Sequence, residues 1–251
     1  MPDDKPTVWE YTDPYVAAYT PPPAYGIGVC DVCHGAPTSG YARCLSCKRT
    51  IDSVSRPLTL VVPVSHYRVG EQLHTVLGGY KRSSNEDVRR RHLLQVGATL
   101  HRFVFEHGDC IRAAAGREWD TVTNVPSKQP RTGRHPLEQA IALGQPLASQ
   151  YERLLEPDEA DSISRTQGSD RGFRTIDNVE GKRVLLVDDT FTSGATFQSA
   201  ASRLALDGAD VVAGVVLGRV INPDFNDETR ELWERQRAIA FDFATCCIHA
   251  G

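Results

Sequence analysis

Residues 184–196 read VLLVDDTFTSGAT. Val184–Val187 is apolar on both alternating faces, the composition of a strand buried in a parallel sheet. Asp188 and Asp189 close that strand, and a polar turn follows with Thr190, Thr192, Ser193, Gly194, Ala195 and Thr196. Phe197, Ala200 and Leu204 then recur at helical spacing, and Gly208 supplies a stop. Val211–Val220 is a second buried strand. Strand, turn, helix, strand in that order is a βαβ crossover. The expected fold class is therefore α/β, a parallel sheet flanked by helices.

In an open parallel sheet, ligands bind beyond the carboxyl ends of the strands, which puts Asp188 and Asp189 on the rim. The turn runs into a helix N-terminus, whose unpaired amides and positive dipole end suit a phosphate. Two carboxylates beside such a cradle repel a bare polyphosphate. They suit the hydroxyls of a ribose, or a Mg²⁺ that offsets the charge. A sugar phosphate satisfies both halves of the motif. Simple helix capping by threonine is a rival, but it needs one polar residue rather than six in nine positions. A phospho-acceptor receiver domain is another, although its acids belong near the first strand and not at position 188.

Upstream, LTLVVPV (58–64) is a β-branched run with the composition of a buried strand. A polar stretch containing Gly78-Gly79 follows it. Val88, Leu93, Val96, Leu100 and Val104 mark an amphipathic helix within Glu86–Phe105. Trp119–Val125 reads as a strand and His135–Leu143 as a helix, while residues 145–180 are polar and mixed. Residues 1–27 form a leader rich in proline, with Pro21-Pro22-Pro23 in a row, where no stable helix is expected. Residues 28–50 form a cysteine module, 58–222 the main domain and 223–251 a partly helical tail.

The 251 residues carry 28 basic and 32 acidic side chains, a net charge of −4. Such a balance argues against a chain built to coat nucleic acid or an anionic membrane. No stretch approaches the roughly 18 apolar residues of a membrane span. The N-terminus lacks the basic-then-apolar order of a secretory signal, so a cytoplasmic address is expected.

Four of the seven cysteines lie in two CxxC turns, Cys30 with Cys33 and Cys44 with Cys47, ten residues apart. Each turn aims two thiolates at one point, and two turns complete the tetrahedral set that Zn²⁺ favours at about 2.3 Å per sulfur. Four cysteines leave no place for water, so the site is structural. An iron–sulfur cluster or a redox pair is the chemical alternative. His34 is expected to stand beside the set without joining it. Cys110, Cys246 and Cys247 are expected to be ordinary thiols. Adjacent cysteines chelate poorly, and Cys246-Cys247-Ile248-His249 offers no evident fourth ligand.

VLLVDDTFTSGAT resembles the phosphoribosyl-pyrophosphate signature of type I phosphoribosyltransferases. That resemblance implies that Asp188 and Asp189 contact the ribose hydroxyls. It also implies that the turn from Thr190 through Thr196 binds phosphoribosyl pyrophosphate, with residues 192–196 on the 5′-phosphate. Val125-Pro126-Ser127-Lys128 fits that family's pyrophosphate loop, with Ser127 and Lys128 as ligands. SRTQGSDRGFRTIDN (164–178) fits its hood, where Arg165 and Arg171 would clamp the leaving group. Asp188, Asp189, Lys128 and Arg165 are thus the catalytic candidates.

Combined with the four-cysteine ribbon, residues 28–222 are similar to the competence protein F (ComF) family. The stretch VVPVSHYRVGEQLHTVLGGYKRS fits that family's strand, tyrosine and lysine region. VPSKQPRTGRHPLEQA departs from it in lacking a Phe-Asn pair, and the tail is unmatched. The implied activity is Mg²⁺-dependent transfer of a phosphoribosyl group to a nitrogen nucleophile, in a protein that often forms homodimers. The alternative is a non-catalytic phosphoribosyl-pyrophosphate sensor or DNA-uptake accessory. Its ribbon would meet nucleic acid or a protein partner through Arg43, Lys48, Arg49 and Arg56.

Overall fold

In a computed structural model describing residues 7–127, 133–158 and 163–248, four strands form one sheet. They are β1 (Val61–Tyr67), β2 (Thr121–Asn124), β5 (Arg183–Phe191) and β6 (Asp210–Val220). Their order is β1-β6-β5-β2 and every pairing is parallel. A separate antiparallel pair joins β3 (Leu155–Pro157) to β4 (Phe173–Thr175). The described α-helices are α1 (Val8–Thr12), α2 (Leu45–Asp52), α3 (Gln72–Arg82), α4 (Glu86–Ala115), α5 (Pro136–Ile141), α6 (Leu147–Gln150), α7 (Ala195–Leu206) and α8 (Asp227–Arg237).

The sheet divides the core in two, as the period of two along a strand requires. Leu185 and Val187 face a cluster with Val76 of α3, Leu100 and Phe103 of α4, and Leu137 of α5. Val184 and Leu186 face the other, with Phe197, Ala200 and Leu204 of α7 and Cys30, Cys33 and Cys47 of the cysteine module. A slip of one residue in β5 would exchange the two faces. The register is therefore fixed by packing, and with it the height at which Asp188 and Asp189 emerge.

Three elements differ from the sequence expectation. The stretch after β1 is the helix α3, because Leu73, Val76, Leu77 and Tyr80 are spaced for one helical face and all are buried. Helix α4 runs ten residues beyond Phe105. Ala113–Ala115 favours continuation until Gly116, at φ 67°, ends it in the left-handed conformation. The leader holds a short helix after all. Thr7 and Glu10 form a capping box that ties off the first turn. Trp9 meets Phe105 edge-on at 5.8 Å, so α4 supplies the packing that the leader lacks alone.

Among the described residues, no helix is long and apolar enough to cross a membrane.

Candidate functional site

The carboxyl ends of β5 and β2 lie side by side. Asn124 pairs in register with Val187, and the Val125 amide donates to the Val187 carbonyl at 3.0 Å. Asp188 and Asp189 therefore stand where β2 has ended, next to Pro126 and Ser127; they do not close β5 as expected, because β5 stays paired with β6 as far as Phe191. Ser127 is half-buried at this edge. Lys128 lies outside the described residues.

The two acids have opposite surroundings. Asp189 is 2% exposed and faces inward, where its Oδ2 accepts from the Tyr80 hydroxyl and pairs with the Lys81 ammonium. Both partners come from the end of α3. Asp188 is half-buried, accepts from the backbone amide of Asp189 at 2.8 Å and feels the Lys81 charge in part. Burial of its carboxyl and the neighbouring Asp189 charge push its pKa up, to about 8. A carboxyl so raised is incompletely compensated, because Lys81 is already paired with Asp189. A cation or a set of hydroxyls at Asp188 would supply the rest.

Next to these acids the chain turns sharply. Gly194 sits at φ 87° as the N-cap of α7, and a Cβ there would lie 2.4 Å from Phe191 Cζ. Only glycine meets both the left-handed backbone and the ring beneath it. Thr192 is exposed, Ser193 and Thr196 are half-buried, and Gly194 and Ala195 are buried. The N-cap residue itself, Gly194, offers no side-chain cap to α7. The Ser193 hydroxyl accepts from the Ala195 amide at 3.3 Å. Thr190 is half-buried and interacts with Tyr67, the last residue of β1. The turn thus pairs helix-start amides with hydroxyls, an arrangement that suits a phosphate.

Arg219 on β6 braces the turn from behind. It is 9% exposed, and its Nη1 donates to the carbonyls of Thr192 at 2.7 Å, Phe191 at 3.4 Å and Val220. No sequence motif marked this residue, because its role depends on the register that sets it opposite Phe191. Tyr80 and Lys81 were also missed as site residues. Their signal was the apolar spacing of α3, masked by Gly78-Gly79.

The segment expected to form a hood is tied down at its centre. Amides of Gly168 and Ser169 donate to Ser53 Oγ at 2.8 Å and Ser199 Oγ at 2.9 Å. Asp170 accepts from Ser55 and Ser202 at 2.6 Å each. Arg165 is exposed three residues before Gly168, where a Cβ would stand 3.4 Å from the Ala195 carbonyl in the first turn of α7. Arg171 lines a different cavity of about 420 Å³ with Arg174, Arg203 and Asp207. Arg203 is two helical turns beyond Ala195, so the cavity that Arg171 lines lies away from the first turn of α7.

Cys30, Cys33, Cys44 and Cys47 gather with their sulfurs within 4.8 Å of one another. Cys33 and Cys44 sulfurs are 3.8 Å apart, which is the edge of a tetrahedron with bonds of about 2.3 Å. The Cys47 amide donates to Cys44 Sγ at 3.4 Å, the kind of support a thiolate needs. Four buried cysteines in this geometry fit a structural metal such as zinc. His34 turns away from the set and bonds the Pro23 carbonyl through Nδ1 at 2.8 Å. Arg219 is close enough to the cluster that the charges of Cys33, Cys44 and Cys47 hold its pKa up. In the same module Arg43 pairs with Asp31 at 2.9 Å and Lys48 with Asp52 at 2.5 Å. Two of the four basic residues offered for nucleic-acid contact are thereby neutralised.

No family model matches the chain. No curated protein matches it either. Among solved structures the chain is similar to an allosteric regulatory enzyme of purine biosynthesis, at 23% identity and a TM-score of 0.26. The match covers 48% of this chain and 26% of that one. Given that overlap, the assignment stands on what the residues themselves establish: a parallel α/β sheet flanked by helices, with a four-cysteine cluster near its N-terminus.

Proposed function

We propose that this chain is a phosphoribosyltransferase of the type I class, similar to the competence protein F family. Its substrate is phosphoribosyl pyrophosphate, held at the carboxyl end of β5, and its acceptor is a nitrogen nucleophile. The observation that carries this reading is the turn at Gly194. Helix-start amides and three hydroxyl side chains lie within a few residues of Asp188, a carboxyl whose charge Lys81 offsets only in part. A 5′-phosphate matches the amides, and ribose hydroxyls match the carboxyl.

In this reading Asp188 is the rim acid that grips the sugar. Asp189 positions it from behind, locked by Tyr80 and Lys81. Ser127 lies on the leaving-group side. Breaking the bond from C1 to pyrophosphate leaves positive character on the ribose, which the Asp188 carboxylate stabilises electrostatically. Holding sugar and acceptor together supplies the remaining advantage through orientation. Asp188 would help hold a substrate-bound Mg²⁺, which would supply charge neutralisation for the departing pyrophosphate.

Calorimetry with phosphoribosyl pyrophosphate and Mg²⁺ tests binding, and pyrophosphate release with a panel of nitrogenous bases tests transfer. Saturable binding with turnover is expected. No binding at about 1 mM ligand, an affinity weaker than about 4 kcal/mol, overturns the reading. Binding without turnover supports the second reading, a sugar-phosphate sensor. The engagement of Asp189, which leaves one rim acid instead of two, favours that reading.

A further inference from the structure

Three metal-ligating side chains meet at a place the sugar-phosphate site does not use. His107 and Cys110 stand three residues apart on one face of α4, and Cys246 arrives from the C-terminal tail. Their ligating atoms all lie within 4.8 Å of one another. Cys110 Sγ is 3.9 Å from His107 Nδ1, and Cys246 makes side-chain hydrogen-bond contact with both residues. A zinc ion bonded at about 2.1 Å to nitrogen and 2.3 Å to sulfur spaces those atoms about 3.6 Å apart. The three need only draw together slightly.

His107 is oriented for ligation. Its Nε2 is 2.6 Å from the Phe243 carbonyl, and a carbonyl only accepts, so Nε2 carries the hydrogen. The neutral ring then presents the lone pair of Nδ1 to the two thiols. Metal-bound histidines make this kind of second bond, which fixes their tautomer and ring plane. The ring is 1% exposed and packs on Phe103 at 4.9 Å, so it has little room to turn.

The tail is shaped to deliver one cysteine and not its neighbour. The Ala244 amide donates to Asp242 Oδ1 at 2.9 Å and the Thr245 amide to the Asp242 carbonyl at 3.3 Å. That turn sends Cys246 to α4. Cys247 points into the core, 3.9 Å from the Pro63 carbonyl. Adjacent cysteines chelate poorly together, but here they are parted, and the missing ligands come from a helix far away in sequence.

We propose that His107, Cys110 and Cys246 form a second zinc site, distinct from the four-cysteine cluster, that clips the C-terminal tail to α4. Cys110 and Cys246 are half-buried, so the fourth position opens to solvent and takes a water. On binding, both thiols release their protons to solvent. Two thiolates and a neutral imidazole then balance the two charges of Zn²⁺.

Zinc titration of the full chain under reducing conditions tests this, with bound metal counted after removal of excess. Wild type is expected to hold two equivalents, and Cys110→Ser, Cys246→Ser and His107→Gln one each. Glutamine keeps a donor for the Phe243 carbonyl, so that variant isolates the ligand from the fold. Cys247→Ala is expected to keep two. Filling the second equivalent is expected to slow amide exchange in 242–248 about tenfold in wild type and leave it unchanged in Cys246→Ser. One equivalent in wild type under excess Zn²⁺ overturns the proposal, as does a second equivalent that survives Cys246→Ser. So does a Cys110–Cys246 disulfide that persists in the presence of zinc. None of these outcomes depends on whether a sugar phosphate binds.

Discussion

Arg219 donates to the Thr192 carbonyl at 2.7 Å while the charge of Cys33 acts on the same guanidinium. One buried cation thus braces the phosphate-type turn and faces the sulfur cluster. Four thiolates around Zn²⁺ carry a net charge of about −2, and Arg219 is well placed to offset part of it. The metal cluster is in this way a neighbour of the turn as well as a fastening for the ribbon.

Replacing Arg219 by glutamine should keep zinc bound and loosen the turn. Hydrogen bonds from a charged donor contribute about 1.5–3 kcal/mol each, so a loss of about 3 kcal/mol in folding stability is expected. Affinity for the sugar phosphate should fall about tenfold, equivalent to 1.4 kcal/mol. Denaturant unfolding and calorimetry read the two effects. Unchanged affinity in a zinc-replete variant would separate the turn from its brace.

Gly194→Ala should be costly although it adds a single methyl. The residue stands at φ 87° and its Cβ would press on the Phe191 ring. Backbone strain and overpacking together suggest about 2–4 kcal/mol. Urea unfolding of the variant at wild-type stability would show that the turn relaxes without penalty.

The two aspartates should respond in opposite ways. Asp189→Asn removes the charge from an acceptor held by Tyr80 and Lys81, and breaking a buried pair costs about 3–5 kcal/mol. Lys81 keeps 21% exposure, so about 2–3 kcal/mol is the better expectation. Asp188→Asn should leave stability unchanged or raised, because it removes a carboxyl short of a counter-charge. It should instead abolish sugar-phosphate binding. Thermal melts paired with calorimetry distinguish the two; equal losses of stability would contradict the assignment.

The raised pKa of Asp188 gives binding a pH dependence with a fixed sign. Folding favours the protonated carboxyl, so its contribution to stability is full below the ordinary 3.8 and fades as pH rises through about 8. A ligand or cation that needs the carboxylate binds with the opposite trend. Affinity should rise with pH up to about 8, and binding at neutral pH should release a proton. Calorimetry in buffers of different ionisation enthalpy detects that proton. Affinity flat between pH 6 and 8 would place the ligand elsewhere.

The sequence carried the strand and turn of residues 184–196 plainly, because burial on both faces and a turn needing glycine leave little choice of residue. The cysteine turns were equally legible, since chelation depends on local spacing. The lock on Asp189 was not. It depends on where α3 docks, and the two glycines inside α3 weakened its periodic signal. Arg219 looked like any basic residue in a strand until the register set it behind Phe191. His107 gave no local pattern, and Cys246 only an adjacent pair without enough ligands, because their meeting is made by the tail's turn.

Arg102 on α4 reaches Thr12 at 2.7 Å and Asp13 at 2.5 Å, and its guanidinium lies 4.2 Å over the Phe243 ring. Leader and tail are consequently gripped by the same side chain. A cut, tag or fusion near residue 13 should be felt at residues 241–248, at the opposite end of the numbering. The two segments are best regarded as one clasp with two arms, and opening either arm slackens the other.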